Sequence, residues 1–313
     1  MLINLKRLVK NILLIVIILL IIFIVYLNCV SFFVSDSIDF DGLSLKHHNL
    51  NVTGLGRLIV PNIVHLIQFD NPFISFITFL CIKAAIKFQS PDVLIIHTNE
   101  KQLNGKYWDR LKENEQIQVE KMVKPTEIFN LPLAHVYHSS DVARLIVLMK
   151  YGGIYIDSDL LILKDLNSFR RFECSIGWPE NEFIGNQLII AHKDSRFIKK
   201  WFQSYKYYNG SSWYFNAGQL PTQSILNSNP EYVHRETKSF GVAPEILYLY
   251  SSVNNKSDWI DKFHTIHLLE RHRSYLIPSD SIRYFNEFNI KSYNKTFGSM
   301  ARDILFDSPR LIT

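Results

Sequence analysis

The stretch from Ser139 to Leu166 constrains the fold of this chain more than any other part of the sequence. Apolar residues recur at helical spacing from Ser140 to Lys150, and Ser139 or Ser140 suits the N-cap of that helix. Gly152 and Gly153 follow, and glycine commonly ends a helix because a residue without Cβ adopts left-handed backbone angles easily. The sequence therefore predicts a helix that leads through the glycine pair directly into a buried strand.

The predicted strand, Gly153 to Asp159, carries two carboxylates on one face. Side chains alternate between the faces of a strand, so Asp157 and Asp159 point the same way as Tyr155. Because burying an unpaired carboxylate is costly, the pair predicts a cation, a hydrogen-bonded partner or exposure at the strand's carboxyl end. A metal site is the more specific prediction. A solvated loop after the strand is the alternative, because D-x-D is a short pattern.

The residues around this pair resemble the sugar-binding region with a D-x-D motif of glycosyltransferase family 32. They are more distantly similar to those of large bacterial glucosyltransferase toxins. The matching residues are Ser140, Asp141, Arg144, Gly152, Gly153, Tyr155, Asp157 and Asp159. The resemblance implies a GT-A type fold and metal-dependent, retaining transfer of a hexose or N-acetylhexosamine from a nucleotide sugar to a glycan or glycolipid. A UDP-sugar is the expected donor, and a GDP-sugar is the alternative.

The same resemblance implies roles for individual residues. Asp157 and Asp159 would hold Mn²⁺ or Mg²⁺, and His267 would complete the metal shell. The expected donor-sugar ligands are Asp141, Arg144 and Asp157, and the expected nucleotide-binding residues are His65, Tyr155, Gly218 and Gln219, with Thr222 as a further candidate. The sequence offers no dependable nucleophile, so the catalytic residue is left unassigned.

Several of these residues have a structural interpretation as well. His65 lies in an apolar stretch, where it could instead be a hydrogen-bonded core histidine. Asp141 and Arg144 share one helical face and could form only an ion pair on the helix surface. The apolar neighbours of His264 and His267 favour a strand, so only one of the two would face the site, and we expect it to be His267.

A glycine and an asparagine in the loop before a predicted strand also matter for the resemblance. Relatives carry the two residues in the opposite order, whereas here they occur as Gly185-Asn186. This reversal leaves the role of Asn186 open.

An apolar run near the N-terminus predicts a membrane anchor. The run from Ile12 to Val34 is long enough to cross the ~30 Å hydrocarbon core at about 1.5 Å per residue. Lys6, Arg7 and Lys10 precede it and no acidic residue occurs before Asp36, which predicts type II topology, with Golgi membranes as the expected location. A cleaved signal peptide is the alternative. The predicted division is a cytoplasmic tail (1–11), a signal anchor (12–34), a stem (35–56) and a lumenal catalytic domain (57–313).

Charge and composition narrow the possible partners. The chain has 34 basic and 29 acidic residues, and the part beyond the anchor is close to neutral because three basic residues lie in the tail. This balance argues against a nucleic-acid partner. Four N-x-S/T sequons, at Asn51, Asn209, Asn255 and Asn294, fit a lumenal surface. Cys81 and Cys174 form either a disulfide or two buried thiols.

Alternating strands and helices predict the fold class. Strands are expected at 57–69, 92–97 and 117–123, with helices at 72–88, 107–114 and 195–208, and the aromatic residues of the last helix are expected to pack into the core. This order predicts an α/β protein with a mostly parallel, doubly wound sheet in a single catalytic domain. Ligands of such sheets bind beyond the carboxyl ends of the strands, where Asp157 and Asp159 lie.

Three other classes of function remain open. A lumenal binding protein without transferase activity would keep the fold and bind donor nucleotide without turnover. A D-x-D phosphatase normally carries Thr or Val where this chain has Leu161. A membrane structural protein would account for the apolar run but not for the pattern from Ser139 to Asp159.

Overall fold

The computed structural model describes residues 15–18, 36–46, 50–241, 246–253, 256–278, 280 and 282–312. The chain divides into the units Met1–Asp36 and Ser37–Thr313. In the first unit, residues 15–18 are helical, and the rest of the predicted anchor, 12–34, lies outside the described residues. Among the residues that the structure describes, no helix is both long enough and apolar enough to span a membrane.

The second unit is a mixed α/β structure. Its helices are α1 (Phe40–Lys46), α2 (Leu50–Thr53), α3 (Phe76–Ala84), α4 (Lys106–Asp109), α5 (Val136–Tyr151), α6 (Arg196–Ser204), α7 (Ile246–Ser251), α8 (Lys256–Ile260), α9 (Glu270–Leu276), α10 (Asn289–Ser292) and α11 (Thr296–Phe306). Its strands are β1 (Ile63–Gln68), β2 (Val93–Thr98), β3 (Ile117–Lys121), β4 (Glu127–Ile128), β5 (Leu131–Pro132), β6 (Gly153–Ile156), β7 (Leu160–Ile162), β8 (Cys174–Gly177), β9 (Leu188–Ala191), β10 (His234–Glu236), β11 (Phe240–Gly241) and β12 (Thr265–His267). Short π-helical and 3₁₀ turns join several of them.

A seven-stranded sheet in the order β10-β8-β9-β6-β1-β2-β3 forms the centre of the unit. The strands β6, β1, β2 and β3 run parallel, which confirms the predicted α/β class. β9 runs antiparallel to both β6 and β8, so the sheet is mixed. The α/β crossovers end after β6, and β8 and β9 then pair as antiparallel neighbours through a short connection, which needs no helix.

A smaller three-stranded sheet in the order β11-β12-β7 lies beside the D-x-D segment. β12 pairs antiparallel with β7, and this register sets His267 opposite Leu160. Because β7 begins directly after Asp159, the pairing brings a C-terminal segment of the chain to the end of β6.

The glycine pair makes the predicted change from helix to strand. Gly152 and Gly153 have φ angles of 66° and 115°, and the Gly152 amide donates to the Leu148 carbonyl at 2.8 Å. A Cβ on Gly153 would lie 2.6 Å from the Ile63 carbonyl oxygen. Glycine is therefore required here both for its backbone angles and for the close approach of β1.

The boundaries of the predicted helix and strand are corrected. α5 begins at Val136, one turn before the predicted start, and His135 rather than a serine occupies its N-cap. Asp141 consequently lies inside the helix and not in its first turn. β6 ends at Ile156, so Asp157 and Asp159 belong to the turn that follows.

The predicted stem is also corrected. Residues 40–46 and 50–53 form α1 and α2, and Phe40 and Leu50 pack in the core at 2% and 3% exposure. The Asn51 side chain is buried and donates to the Glu173 carboxylate and the Glu231 carbonyl. This sequon is thus inside the domain, where a glycan has no room.

The remaining packing agrees with the sequence. Ser195 caps α6 by accepting from the Ile198 amide, and Phe197, Trp201 and Tyr205 are fully buried, as predicted for a core-facing helix. Cys81 and Cys174 are both buried free thiols, which decides between the two alternatives for this pair.

Candidate active site

Asp157 is held in place at the end of β6 by three neighbours. Its amide donates to the Gln187 carbonyl at 2.9 Å, which continues the pairing of β6 with β9 by one residue. The Tyr155 hydroxyl donates to Asp157 Oδ1 at 2.6 Å, and Arg144 Nη2 lies 3.4 Å from the same oxygen. One carboxylate oxygen is therefore fixed by the protein.

Asp159 is tied to the segment that follows β12. Its carbonyl accepts from the Leu268 amide at 2.9 Å, and Oδ2 accepts from the Glu270 amide at 3.0 Å. His267 Nε2 lies 3.1 Å from Oδ1. Burial opposes the charged forms of both groups, but the ion pair prevails, so the pKa of Asp159 is lowered and the pKa of His267 is raised.

Asp157, Asp159 and His267 can together hold a metal ion. One ligand atom from each lies within 4.8 Å of the others, and all three side chains are partly exposed. Two carboxylates and an imidazole suit Mn²⁺ or Mg²⁺, with water filling the remaining positions. A cation bound through Nε2 requires neutral His267, so metal binding competes with the ion pair to Asp159.

Asp141 and Arg144 form a buried ion pair, not the exposed helix-surface pair of the structural alternative. They are 6% and 4% exposed, and Arg144 Nη2 lies 2.9 Å from Asp141 Oδ1. Burial raises the pKa of Asp141 to about 6, although Arg144 opposes the shift. Burial lowers the pKa of Arg144, but Asp157, Tyr155 and Asp141 outweigh it and the net shift is upward.

Asn186 completes this pair, although the order of Gly185 and Asn186 differs from that of relatives. Its side-chain amide donates to Asp141 Oδ1 at 2.8 Å, and its backbone carbonyl accepts from Arg144 Nη1 at 2.6 Å. Asn186 therefore belongs to the site. The signal in the sequence was the asparagine in the loop before β9. The path of that loop brings Asn186 to Asp141 and Arg144, whatever the order of the glycine and the asparagine.

Tyr155 lies beneath the site. Its ring is 2% exposed, lies 4.6 Å from the Arg144 guanidinium, and borders the cavity. Burial raises the pKa of its phenol, so the hydroxyl remains a hydrogen-bond donor to Asp157. Its contact with a nucleotide stays a prediction.

His65 lies in the core, which contradicts its predicted contact with a nucleotide. Its side chain is 0% exposed, Nε2 lies 2.8 Å from the Gly152 carbonyl, and Nδ1 lies 3.0 Å from His97 Nε2. Burial lowers its pKa to about 3, so the ring is neutral. The histidine is hydrogen-bonded to the glycine pair through the Gly152 carbonyl, in keeping with the structural interpretation.

Gly218, Gln219 and Thr222 also lie outside the residues that border the cavity. The amides of Gly218 and Gln219 donate to the Tyr214 carbonyl within a π-helical turn, so neither is available to a diphosphate. Thr222 Oγ1 donates to the Gly218 carbonyl and accepts from the Ile184 amide, which fixes the loop before β9. None of the three residues therefore borders the cavity in which a nucleotide would bind.

One cavity of about 570 Å³ joins the three possible metal ligands and the buried ion pair. Its wall also contains residues that the sequence reasoning missed or left in the background: Tyr137, Glu182, Phe183, Trp213, Tyr214, Arg271, His272 and Tyr275. Arg273, beside His272 in the sequence, lies outside this wall and forms ion pairs with Glu270 and Asp280. The wall comes from four distant segments whose local patterns are those of ordinary loops and helices.

Comparison with known proteins identifies one matching region of the chain. Residues 79–176 match the model of the glycosyltransferase sugar-binding region containing a DXD motif. The chain therefore contains a region that is similar to this glycosyltransferase family. The matched region includes Asp141, Arg144, Tyr155, Asp157 and Asp159, whereas His267 lies beyond it.

One curated relative of this glycosyltransferase domain is named as an enzyme. It is Glucan organizing enzyme 1 of Cryptococcus neoformans var. grubii, 26% identical over 184 residues, which are 53% of this chain and 50% of the relative. The matched part of the chain thus spans half the length of that relative.

Two solved structures resemble the glycosyltransferase domain loosely. PaToxG glycosyltransferase is 16% identical, with a TM-score of 0.40 over 60% of this chain and 77% of the other. The galactosyltransferase LgtC, in complex with donor and acceptor sugar analogs, is 15% identical, with a TM-score of 0.40 over 66% of this chain and 87% of the other. The similarity to the glycosyltransferase family therefore rests on the sequence match.

Proposed function

We propose that the domain transfers a hexose or N-acetylhexosamine from a nucleotide sugar to a glycan or glycolipid, with a divalent cation bound by Asp157, Asp159 and His267. One observation carries this proposal. The three possible ligands lie within 4.8 Å of one another, in the same cavity as the buried pair of Asp141 and Arg144.

The metal-binding residues suit the departure of a nucleoside diphosphate. A bound Mn²⁺ or Mg²⁺ would supply positive charge to the two phosphates without proton transfer. The Glu270 amide holds the Asp159 carboxylate in one orientation. Tyr155 and Arg144 hold the Asp157 carboxylate in the same way. This preorganisation reduces the entropy lost when the donor binds.

The pair of Asp141 and Arg144, together with Asn186, supplies donors and acceptors for sugar hydroxyls. Hydrogen bonds to buried charged groups are strong and directional, so they discriminate between sugars that differ at one hydroxyl. A UDP-sugar donor is proposed ahead of a GDP-sugar on the family resemblance.

The family resemblance also supports a GT-A type fold and retention of configuration through attack on the face of the leaving group. The acceptor oxygen bonds to the anomeric carbon as the bond from that carbon to the phosphate oxygen breaks. The electron pair leaves with the diphosphate, and the acceptor proton passes to the departing phosphate oxygen.

We further propose that residues 12–34 anchor the chain in Golgi membranes with type II topology. The support is the long apolar run and the basic flank formed by Lys6, Arg7 and Lys10. N-terminal sequencing of the membrane-bound protein should find the run intact.

A second candidate is a binding protein of the same fold that lacks turnover. The observation that favours it is the direct contact between His267 and Asp159, which lets the two groups neutralise each other without a cation. Such a protein would bind donor nucleotide but release none.

A donor screen with the purified intact chain separates these candidates. The chain is incubated with UDP- and GDP-sugars in Mn²⁺, with EDTA as a parallel arm, and released nucleotide is measured. Asp159→Asn should lower turnover by at least about a hundredfold, since it removes a coordinating charge. Asp165→Asn is the matched control because it makes the same change at an exposed residue outside the cavity.

Near wild-type turnover of Asp159→Asn in Mn²⁺, with Asp165→Asn unchanged, would contradict the metal assignment. Donor binding by the wild-type chain without nucleotide release from any sugar would favour the binding protein.

A further inference from the structure

An aromatic platform forms one rim of the cavity, and none of the assigned roles uses it. It consists of Tyr137, Trp213, His272 and Tyr275, which all border the cavity. The rings form a chain of contacts, with centroids 5.0 Å apart from Tyr137 to Trp213, 5.7 Å from Trp213 to His272 and 5.5 Å from His272 to Tyr275. Three separate segments thus contribute to one continuous surface.

The platform is exposed where a core cluster would be buried. Trp213 is 50% exposed and Tyr275 is 63% exposed. Large aromatic side chains gain most of their stabilisation from burial, so a cluster that leaves its largest rings open to a cavity is typical of a binding surface.

Polar groups accompany these rings. The Arg271 guanidinium lies 5.6 Å from the Tyr137 ring centroid, and His272 Nδ1 is hydrogen-bonded to the Tyr275 hydroxyl. A pyranose ring has an apolar C–H face and a rim of hydroxyls. Aromatic faces attract the C–H groups, and adjacent guanidinium, imidazole and phenol groups bind hydroxyls.

The position of the platform links it to the reaction centre. Tyr137 lies one turn before Asp141 on α5, so both occupy the same side of the helix. α9, which carries His272 and Tyr275, begins three residues after His267. The platform therefore borders both the proposed sugar-binding pair and the proposed metal ligands.

A nucleobase fits this position less well than a sugar. Ligands of parallel sheets bind beyond the carboxyl ends of the strands, which places the nucleoside near the ends of β1 and β2. Ile67, close to the end of β1, borders the cavity there. The platform is built instead from the first turn of α5, the loop before residue 215, and α9.

We propose that this aromatic platform is the acceptor subsite and that it takes a pyranose ring of a saccharide acceptor. The inference rests on the proposed function, since attack on the face of the leaving group requires the acceptor hydroxyl to lie beside the diphosphate. The segment after His267 satisfies that requirement. The acceptor class is thus a saccharide whose apolar ring face stacks on Trp213.

Two measurements on the purified intact chain test the subsite. The first is direct binding of lactose, mannobiose and chitobiose by titration, which needs no turnover. The second is the acceptor KM for transfer, measured beside the dissociation constant of the donor nucleotide in Mn²⁺. Trp213→Ala should weaken saccharide binding or raise the acceptor KM by about tenfold or more, with donor affinity unchanged.

Trp213→Phe should recover most of the lost affinity, because it restores an aromatic face. Tyr284→Ala is the matched control, since Tyr284 is 73% exposed and lies outside the cavity wall. An equal loss of donor affinity in Trp213→Ala would assign the platform to the nucleobase and overturn the proposal. The proposal would also be overturned if Trp213→Ala bound all three saccharides as tightly as wild type, or if the wild-type chain bound none of them.

The two proposals can fail separately. Absence of transfer from every donor, with saccharide binding that depends on Trp213, would refute the transferase function and leave a saccharide-binding platform. Transfer that does not depend on Trp213 would refute the platform alone.

Discussion

Two arginines of this domain, Arg144 and Arg196, each form an ion pair with a buried carboxylate, but the balance of charge around them differs. Arg196 binds one buried carboxylate, Glu173, whose oxygens also accept from the Asn51 side chain and the Arg196 amide. Its second carboxylate partner, Asp41 at 3.5 Å, is exposed to solvent. Arg144 instead lies between two carboxylates, Asp141 at 2.9 Å and Asp157 at 3.4 Å. Only the Arg144 cluster borders the cavity.

The difference separates structural from functional ion pairs. The charge of Glu173 is matched inside the domain, and its 0% exposure leaves no place for a ligand. Around Arg144 the two carboxylates, Asp141 and Asp157, outnumber the single cation. Excess charge beside a cavity is costly for folding, so its presence indicates a requirement of the site and not of the fold.

Removing Arg196 gives the largest expected effect of three tests of this comparison. Arg196→Met keeps the aliphatic volume but leaves Glu173 buried without its cation, which should lower the free energy of unfolding by about 4 kcal/mol. Burial already raises the pKa of Glu173, so the deficit should shrink on acidification, when the carboxyl becomes neutral. Denaturant titrations at several pH values measure both effects.

Lys199→Met is the control for that test, because it removes a half-exposed cation from the same helix, α6. The turnover of the folded Arg196→Met chain should match wild type. A loss of turnover per folded molecule would break the proposed separation of the two clusters.

Asp141→Asn should stabilise the domain while it impairs transfer. The pKa of Asp141 is about 6 in the folded state against 3.8 in the unfolded chain, so ionisation at neutral pH costs on the order of 3 kcal/mol. The folded state binds the extra proton between these values, and wild-type stability therefore falls as the pH rises through this window. Denaturant titration in EDTA at pH 7 should show the variant to be more stable.

This gain should vanish as the pH falls towards 3.8, where the wild-type carboxyl is neutral as well. Asp165→Asn, at an exposed position, should show no gain at either pH. A destabilised Asp141→Asn at neutral pH would show that the charge of Asp141 supports the fold.

Exchange of arginine for lysine is the mildest comparison. Arg144→Lys keeps the charge but cannot reach Asp141, Asp157 and the Asn186 carbonyl together, so turnover should fall by about tenfold. Arg196→Lys makes the matched change in the other cluster and should leave turnover unchanged. Equal turnover in both variants would remove the distinction between the clusters.

Local patterns predicted a large part of this molecule. The helix, the glycine pair and the strand of the D-x-D segment are specified by neighbouring residues, because helical periodicity, left-handed glycine angles and strand alternation are short-range properties. The buried aromatic face of α6 follows from the same reasoning. The same short-range alternation predicted that the carboxylates of Asp157 and Asp159 would lie on one side of the strand.

Helix starts and the predicted stem were less predictable. α5 gains a further turn before Ser139, and residues 40–53 join the core through Phe40 and Leu50. Nothing local distinguishes such a polar segment from a linker, since its burial depends on partners far along the chain. Asn51 shows this most clearly, because its partners are Glu173 and Glu231.

The sequence by itself determined that a helix, a glycine pair and a strand would present two carboxylates. The carboxylates indicated a metal, and the family resemblance implied a sugar. Only the tertiary structure decided which other groups join them. His65 and His267 both lie in short apolar strands, yet one is sealed against His97 and the other faces Asp159. Asn186 and Trp213 likewise reach the cavity from loops. The physical reason is that strand pairing and loop packing bring distant segments together, and the exposure of a side chain is set by those partners rather than by its neighbours in the sequence.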